Sequence, residues 1–85
     1  MTNEDINKFM LNKQPGESTI QISFKSRNSI KGIFVKMKDF DELSQKNLWR
    51  IVSETNIPNY KQSKDMTLAK IFNGSEMTKL ELLNS

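Results

Sequence analysis

The hydrophobic pattern of the chain has two regimes. Near the start, Ile6, Phe9 and Met10, followed by Lys13, keep the i, i+3, i+4, i+7 spacing of one helical face. Thr2 stands before them as an N-cap, and Glu4 and Asp5 occupy the first turn, where the helix dipole favours acids. Gln14-Pro15-Gly16 ends the run. The spacing predicts a helix of about ten residues, too short to stand alone, so its apolar stripe must dock on something. From Thr19 the period becomes two. Ile20, Ile22 and Phe24 alternate with Gln21, Ser23 and Lys25, the signature of a half-buried strand, and Ser26-Arg27-Asn28-Ser29 has turn composition. Ile30 to Met37 is apolar on both alternating sets, with Ile30 and Phe34 on one and Ile33, Val35 and Met37 on the other. Such a strand is buried on both faces, either central in a covered sheet or long and bent, and Gly32 sits where a bend costs least.

Three further strands follow: Leu48 to Val52, which carries the sole Trp; Met66 to Phe72; and Ser75 to Leu83. Between the last two, Asn73-Gly74 is a strong hairpin signal, because a type I′ turn needs positive φ at both central residues. Asp39 to Asn47 and Thr55 to Asp65 read as polar loops. One helix and five short strands predict a mainly β fold: a short N-terminal α-helix and linker over 1–16, then a five-stranded, strongly bent small barrel over 18–83, in one domain of 85 residues. Met1 and the polar Asn84-Ser85 read as the ends of a complete chain.

Composition narrows the chemistry. With no cysteine there is no disulfide framework or thiol nucleophile, and with no histidine the commonest neutral-pH acid/base and transition-metal ligand is missing. The few scattered glycines make no phosphate-binding loop. A non-enzymatic binding module without cofactors is the expectation. No apolar run approaches the ~20 residues that span a bilayer, so no membrane partner is expected and the cytoplasm is the default location. The net charge of +3 is unevenly spread. Thr19 to Lys38 holds Lys25, Arg27, Lys31, Lys36 and Lys38 with no acid, and Asp39, Asp41 and Glu42 follow at once. The basic strip is either a footprint for nucleic acid or an acidic protein partner, or a row of solvated lysines that protects strands from edge pairing.

The order of elements resembles the Sm/LSm-like fold, an N-terminal helix capping a strongly bent, five-stranded SH3-like barrel. The stretch matching the first Sm motif is Ser18 to Phe24, a turn, then Ile30-Lys31-Gly32-Ile33-Phe34-Val35-Lys36-Met37; the second matches Leu68 to Leu80 around Asn73-Gly74. Where the family has an aromatic–Asp pair after the glycine this chain has Met37-Lys38, with Asp39-Phe40-Asp41 and Asn47-Leu48 further on. The resemblance implies loops that line a ring pore and clamp RNA; where the family has an RNA-contacting basic residue in the turn of the second motif, this chain has Asn73.

Several residues are candidates for binding RNA, single-stranded nucleic acid or a protein partner. Lys25, Lys31, Lys36 and Lys38 supply charge. Phe40 could stack a base or anchor its loop to the barrel end. Asn73 with Gly74 could present backbone amides or serve only the turn. Tyr60, beside Lys61 and Lys64, is an aromatic–basic grouping or a solvated loop. Asp39, Asp41 and Glu42 could hold a hard cation, but lack the glycine and distal Glu of a calcium loop. Trp49 belongs either in the core or at an interface. Open barrels of this size leave strands four and five at their edges, so a homo-oligomer joined through edge strands is expected.

Overall fold

The computed structural model describes residues 1–16 and 18–83; Glu17 and the polar tail Asn84-Ser85 lie outside the described residues. Helix α1 (Asn3–Lys13) forms where the spacing places it. The Thr2 hydroxyl accepts from the Asp5 N–H and the Asp5 carboxylate accepts from the Thr2 N–H, a reciprocal cap that satisfies two orphan donors. Gln14 closes the helix in the left-handed region at φ 44°, with its N–H bonded to the Met10 carbonyl. Ile6 is fully buried, and Phe9 and Met10 pack beside it against the sheet.

Five strands follow: β1 (Ile20–Phe24), β2 (Ile30–Phe34), β3 (Leu48–Ser53), β4 (Ala69–Asn73) and β5 (Met77–Leu82). They form one antiparallel sheet in the order β4-β3-β2-β1-β5. β4 and β5 stand at the two edges, the places expected of them, and do not pair with each other, so the sheet is not closed into a barrel. It is nonetheless curled. β1 and β4 are three strand spacings apart, roughly 14 Å in a flat sheet, yet the rings of Phe24 and Phe72 lie 5.7 Å apart.

β2 serves both faces of this sheet. Phe34 is buried, with Ile30 half-buried beside it, in the larger cluster, which also holds Ile6, Ile20, Ile22, Trp49, Ile51, Met77 and Leu80. Ile33 and Val35 join Val52 and Ala69 in a second cluster on the other face, covered by Met37, Ile57 and Tyr60. Met77 and Leu80 differ in parity along β5, yet both are buried, because the register against β1 shifts between Ser23 and Phe24.

The two polar loops are helical in part, which makes the fold mixed rather than mainly β: about 40% of it is helical and 33% strand. The segment after β2 turns into α2 (Phe40–Gln45), with Asp41 and Glu42 in the first turn. The segment after β3 forms a 3-10 turn, Glu54–Asn56, then α3 (Ile57–Ser63), with Pro58 in the first turn, where its missing N–H costs nothing. Helices of six and seven residues are shorter than two full turns, so periodicity cannot reveal them. Met66–Leu68, expected as strand, is a second 3-10 turn, capped by the Asp65 side chain accepting from the Thr67 N–H. None of the helices among the described residues is long and apolar enough to cross a membrane.

The turn at Asn73-Gly74 also differs from expectation. A third 3-10 turn, Gly74–Glu76, connects the two edge strands, and neither Asn73 (φ −85°) nor Gly74 has positive φ. Glycine is needed here for space: a Cβ on Gly74 would stand 2.1 Å from Asn47 Oδ1 and 2.7 Å from Ile6 Cδ1. Gly32 has a like cause, since its Cβ would lie 2.5 Å from the Val52 carbonyl oxygen. Gly16 does adopt φ +57°, with nothing within 4 Å of the Cβ position. Gly74→Ala is therefore expected to cost about 3 kcal/mol through overpacking, and Gly16→Ala only about 1 kcal/mol of backbone strain. Urea unfolding of the two variants checks the order.

Candidate functional site

The basic residues of the strip do not share one face. Lys25 follows β1, its N–H bonded to the Glu76 carbonyl at 2.9 Å, and Arg27 lies in the turn to β2. Lys31 is the second residue of β2 and pairs in register with Gln21, which pairs in turn with Glu81. These three gather at the β1–β2 end. Lys36 and Lys38 lie beyond the far end of β2, between it and α2. The span from Lys31 to Lys36 alone is roughly 17 Å along an extended chain. The strip thus divides into a group of three and a group of two.

Each aromatic candidate is committed to packing. Phe40 opens α2 and meets Trp49 edge-to-face, with centroids 5.9 Å apart, while Lys36 Nζ stands 5.2 Å from its ring. That is the loop-anchor arrangement. Tyr60, on α3, packs against the second cluster, with Lys64 Nζ 5.7 Å from its ring. Trp49 is 1% exposed and belongs to the core. Asn73 ends β4, where its Oδ1 accepts from the Ser75 N–H and hydroxyl at 2.9 Å each, capping the turn.

The acidic residues separate as well. Asp39 accepts from Arg50 Nη2 at 2.6 Å, tying the start of α2 to β3, and Glu42 pairs with Lys46 one turn on. Asp39 Oδ1 and Arg50 Nε are buried with no hydrogen-bond partner among the described residues, so this ion pair makes one of the two bonds its fork allows. No group of three or more metal-ligating side chains occurs among the described residues.

Two residues outside the candidate set hold central positions. Asn47, at φ +60°, links α2 to β3, and its amide bonds both to Met1 and to Trp49. A lone Asn between two patterned segments is the available signal, since Asn tolerates the left-handed region. Arg27 places its guanidinium 5.2 Å from the Phe24 ring and 5.5 Å from the Phe72 ring, roofing a groove that the period-two pattern could not show.

The Arg50 guanidinium hydrogen-bonded to Asp39 holds that carboxyl below its ordinary value of 3.8, and the charge of Arg50 adds to the effect. Asp5 is lowered by the bonds from Thr2 and Asp65 by those from Thr67. A carboxyl with a lowered folded pKa stabilises the fold above its unfolded value and loses that contribution as pH falls through the folded one. Asp39→Asn should unfold at lower urea than the parent at neutral pH, and the gap should close as pH drops below 3.8. Equal gaps across that range would show that the pair contributes nothing to pH dependence.

No family model, curated protein or solved structure matches the chain.

Proposed function

We propose that this chain is a non-enzymatic binding module of the Sm-like, SH3-like small-barrel type, and that it assembles with copies of itself by pairing the β4 edge of one copy with the β5 edge of the next. The order β4-β3-β2-β1-β5, with the last two strands at opposite edges of a curled sheet, is the observation that carries it. The N-terminal helix docked on the core and the glycines at 32 and 74 agree with the resemblance in sequence. The edges are of similar length, five residues in β4 and six in β5, and among the described residues each leaves one side of its backbone without a strand partner. A contact between two different edges is heterologous, so repeated copies close into a ring or extend as a filament. Light scattering across a concentration series should give a mass that is a multiple of 9.9 kDa. Amide exchange should slow in β4 and β5 as that mass grows. A 9.9 kDa species at every concentration overturns the reading.

A second reading, binding of single-stranded nucleic acid, rests on the convergence of Lys25, Arg27 and Lys31 at the β1–β2 end. Three phosphate contacts predict a log–log salt slope of about −2 for a fluorescent single-stranded oligonucleotide. Substituting all three with Gln should remove that slope. Absence of binding at low salt ends this reading and leaves assembly standing.

A further inference from the structure

A groove of about 670 Å³ opens on the concave side of the sheet, between Phe24 at the end of β1 and Lys70 to Asn73 of β4. Its size lies within the ~300–1,000 Å³ range of small-molecule sites. The floor is apolar, built from Ile30, Ile51 and Leu68. Phe24 and Phe72 pack on each other and form one aromatic wall, with centroids 5.7 Å apart and planes inclined at 37°. Arg27 lies across both rings. Lys70 is opposite Ile51 in the β3–β4 register, which puts it on the concave face beside them. Among the described residues neither Arg27 nor Lys70 is paired with a carboxylate, and Glu76 is the single acid in the lining.

Two cations without a carboxylate partner, at the mouth of a groove with an apolar floor and an aromatic wall, select for a ligand that is flat, apolar and negative at one end. We infer that the groove binds a small aryl anion, an aromatic ring bearing a carboxylate, sulfonate or phosphate. Its ring packs against the exposed side of the Phe24–Phe72 pair over the Ile30–Ile51 floor, and its charge meets Arg27 and Lys70. An aliphatic body would fill the same volume but would forgo the ring–ring and cation–ring geometry that Phe24, Phe72 and Arg27 already hold. The site is formed by one chain alone and does not rest on the edge-pairing reading.

The test is a fluorescence titration of the full chain with anilinonaphthalene sulfonate, alongside the neutral N-phenylnaphthylamine, which has the same rings without the sulfonate. Amide NMR locates the bound probe. The expected result is one sulfonate per chain, amide shifts centred on Phe24, Arg27 and Phe72, and at least tenfold weaker binding of the neutral probe, about 1.4 kcal/mol. The double variant Arg27→Gln/Lys70→Gln should weaken the sulfonate about tenfold and leave the neutral probe unchanged. Both positions are exposed, and an unchanged urea midpoint shows that the variant is folded. Equal affinity for the two probes, shifts centred elsewhere, or an unaffected double variant overturns the inference. Light scattering on the same samples reports assembly independently: a monomer that binds the sulfonate refutes only assembly, and an oligomer that does not bind refutes only the groove.

Discussion

Asn47 occupies the point where four parts of the chain meet. Its backbone turns α2 into β3 at φ +60°, and its carbonyl accepts from the Gly74 N–H at 2.7 Å. Its amide nitrogen donates to the Met1 carbonyl at 3.0 Å, and its amide oxygen accepts from the Trp49 indole N–H at 2.8 Å. The Met1 amine in turn donates to the carbonyls of Gly74 and Met77. One short polar side chain thus satisfies the one polar atom of the Trp49 side chain, the largest that is fully buried among the described residues, and holds the entry to α1 against the turn between β4 and β5. Leaving a buried indole N–H without a partner costs about 1–3 kcal/mol. That is a large share of what a domain of this size can hold, since small chains bury a lower fraction of their surface than large ones.

This network explains what the sequence made legible and what it concealed. Strand periods were visible because each strand faces a continuous apolar layer; the double-sided pattern of Ile30 to Met37 correctly placed β2 between two clusters. The cap at Thr2 and the stop at Gln14-Pro15 were visible because helix ends rest on local chemistry. The glycine at 74 was misread because a turn residue can be glycine for two reasons, positive φ or lack of room, and only the three-dimensional approach of Asn47 tells them apart. α2 and α3 escaped for another reason. Each leans on the sheet through one or two aromatics, Phe40 on Trp49 and Tyr60 on the Ile33–Val52 layer, and such contacts leave no period in the sequence.

Charge was the least legible property. A run of bases with no intervening acid looks like a single field, but strand geometry separates it. Lys31 joins a cross-strand row with Gln21 and Glu81, Lys36 is drawn to the Phe40 ring, and Arg27 reaches from the turn beyond β1 to Phe72. The acidic knot divides in the same way once Asp39 turns to Arg50 and Glu42 to Lys46. Linear clustering of charge counts neighbours along the chain, whereas a potential depends on neighbours in space.

The Asn47–Gly74 contact also decides whether the sheet has free edges at all. A two-residue type I′ hairpin at Asn73-Gly74 would fold β5 directly back onto β4 and satisfy one edge of each with the other. The 3-10 turn held by Asn47 instead spends three residues, Gly74–Glu76, redirecting the chain, so that β5 reaches β1, with Phe24 opposite Met77. The curl then brings Phe24 and Phe72 into contact while the backbones of β4 and β5 stay apart. Free edges and an open groove are therefore one consequence, not two: both exist because a glycine tight against an asparagine steers the last strand past its nearest partner.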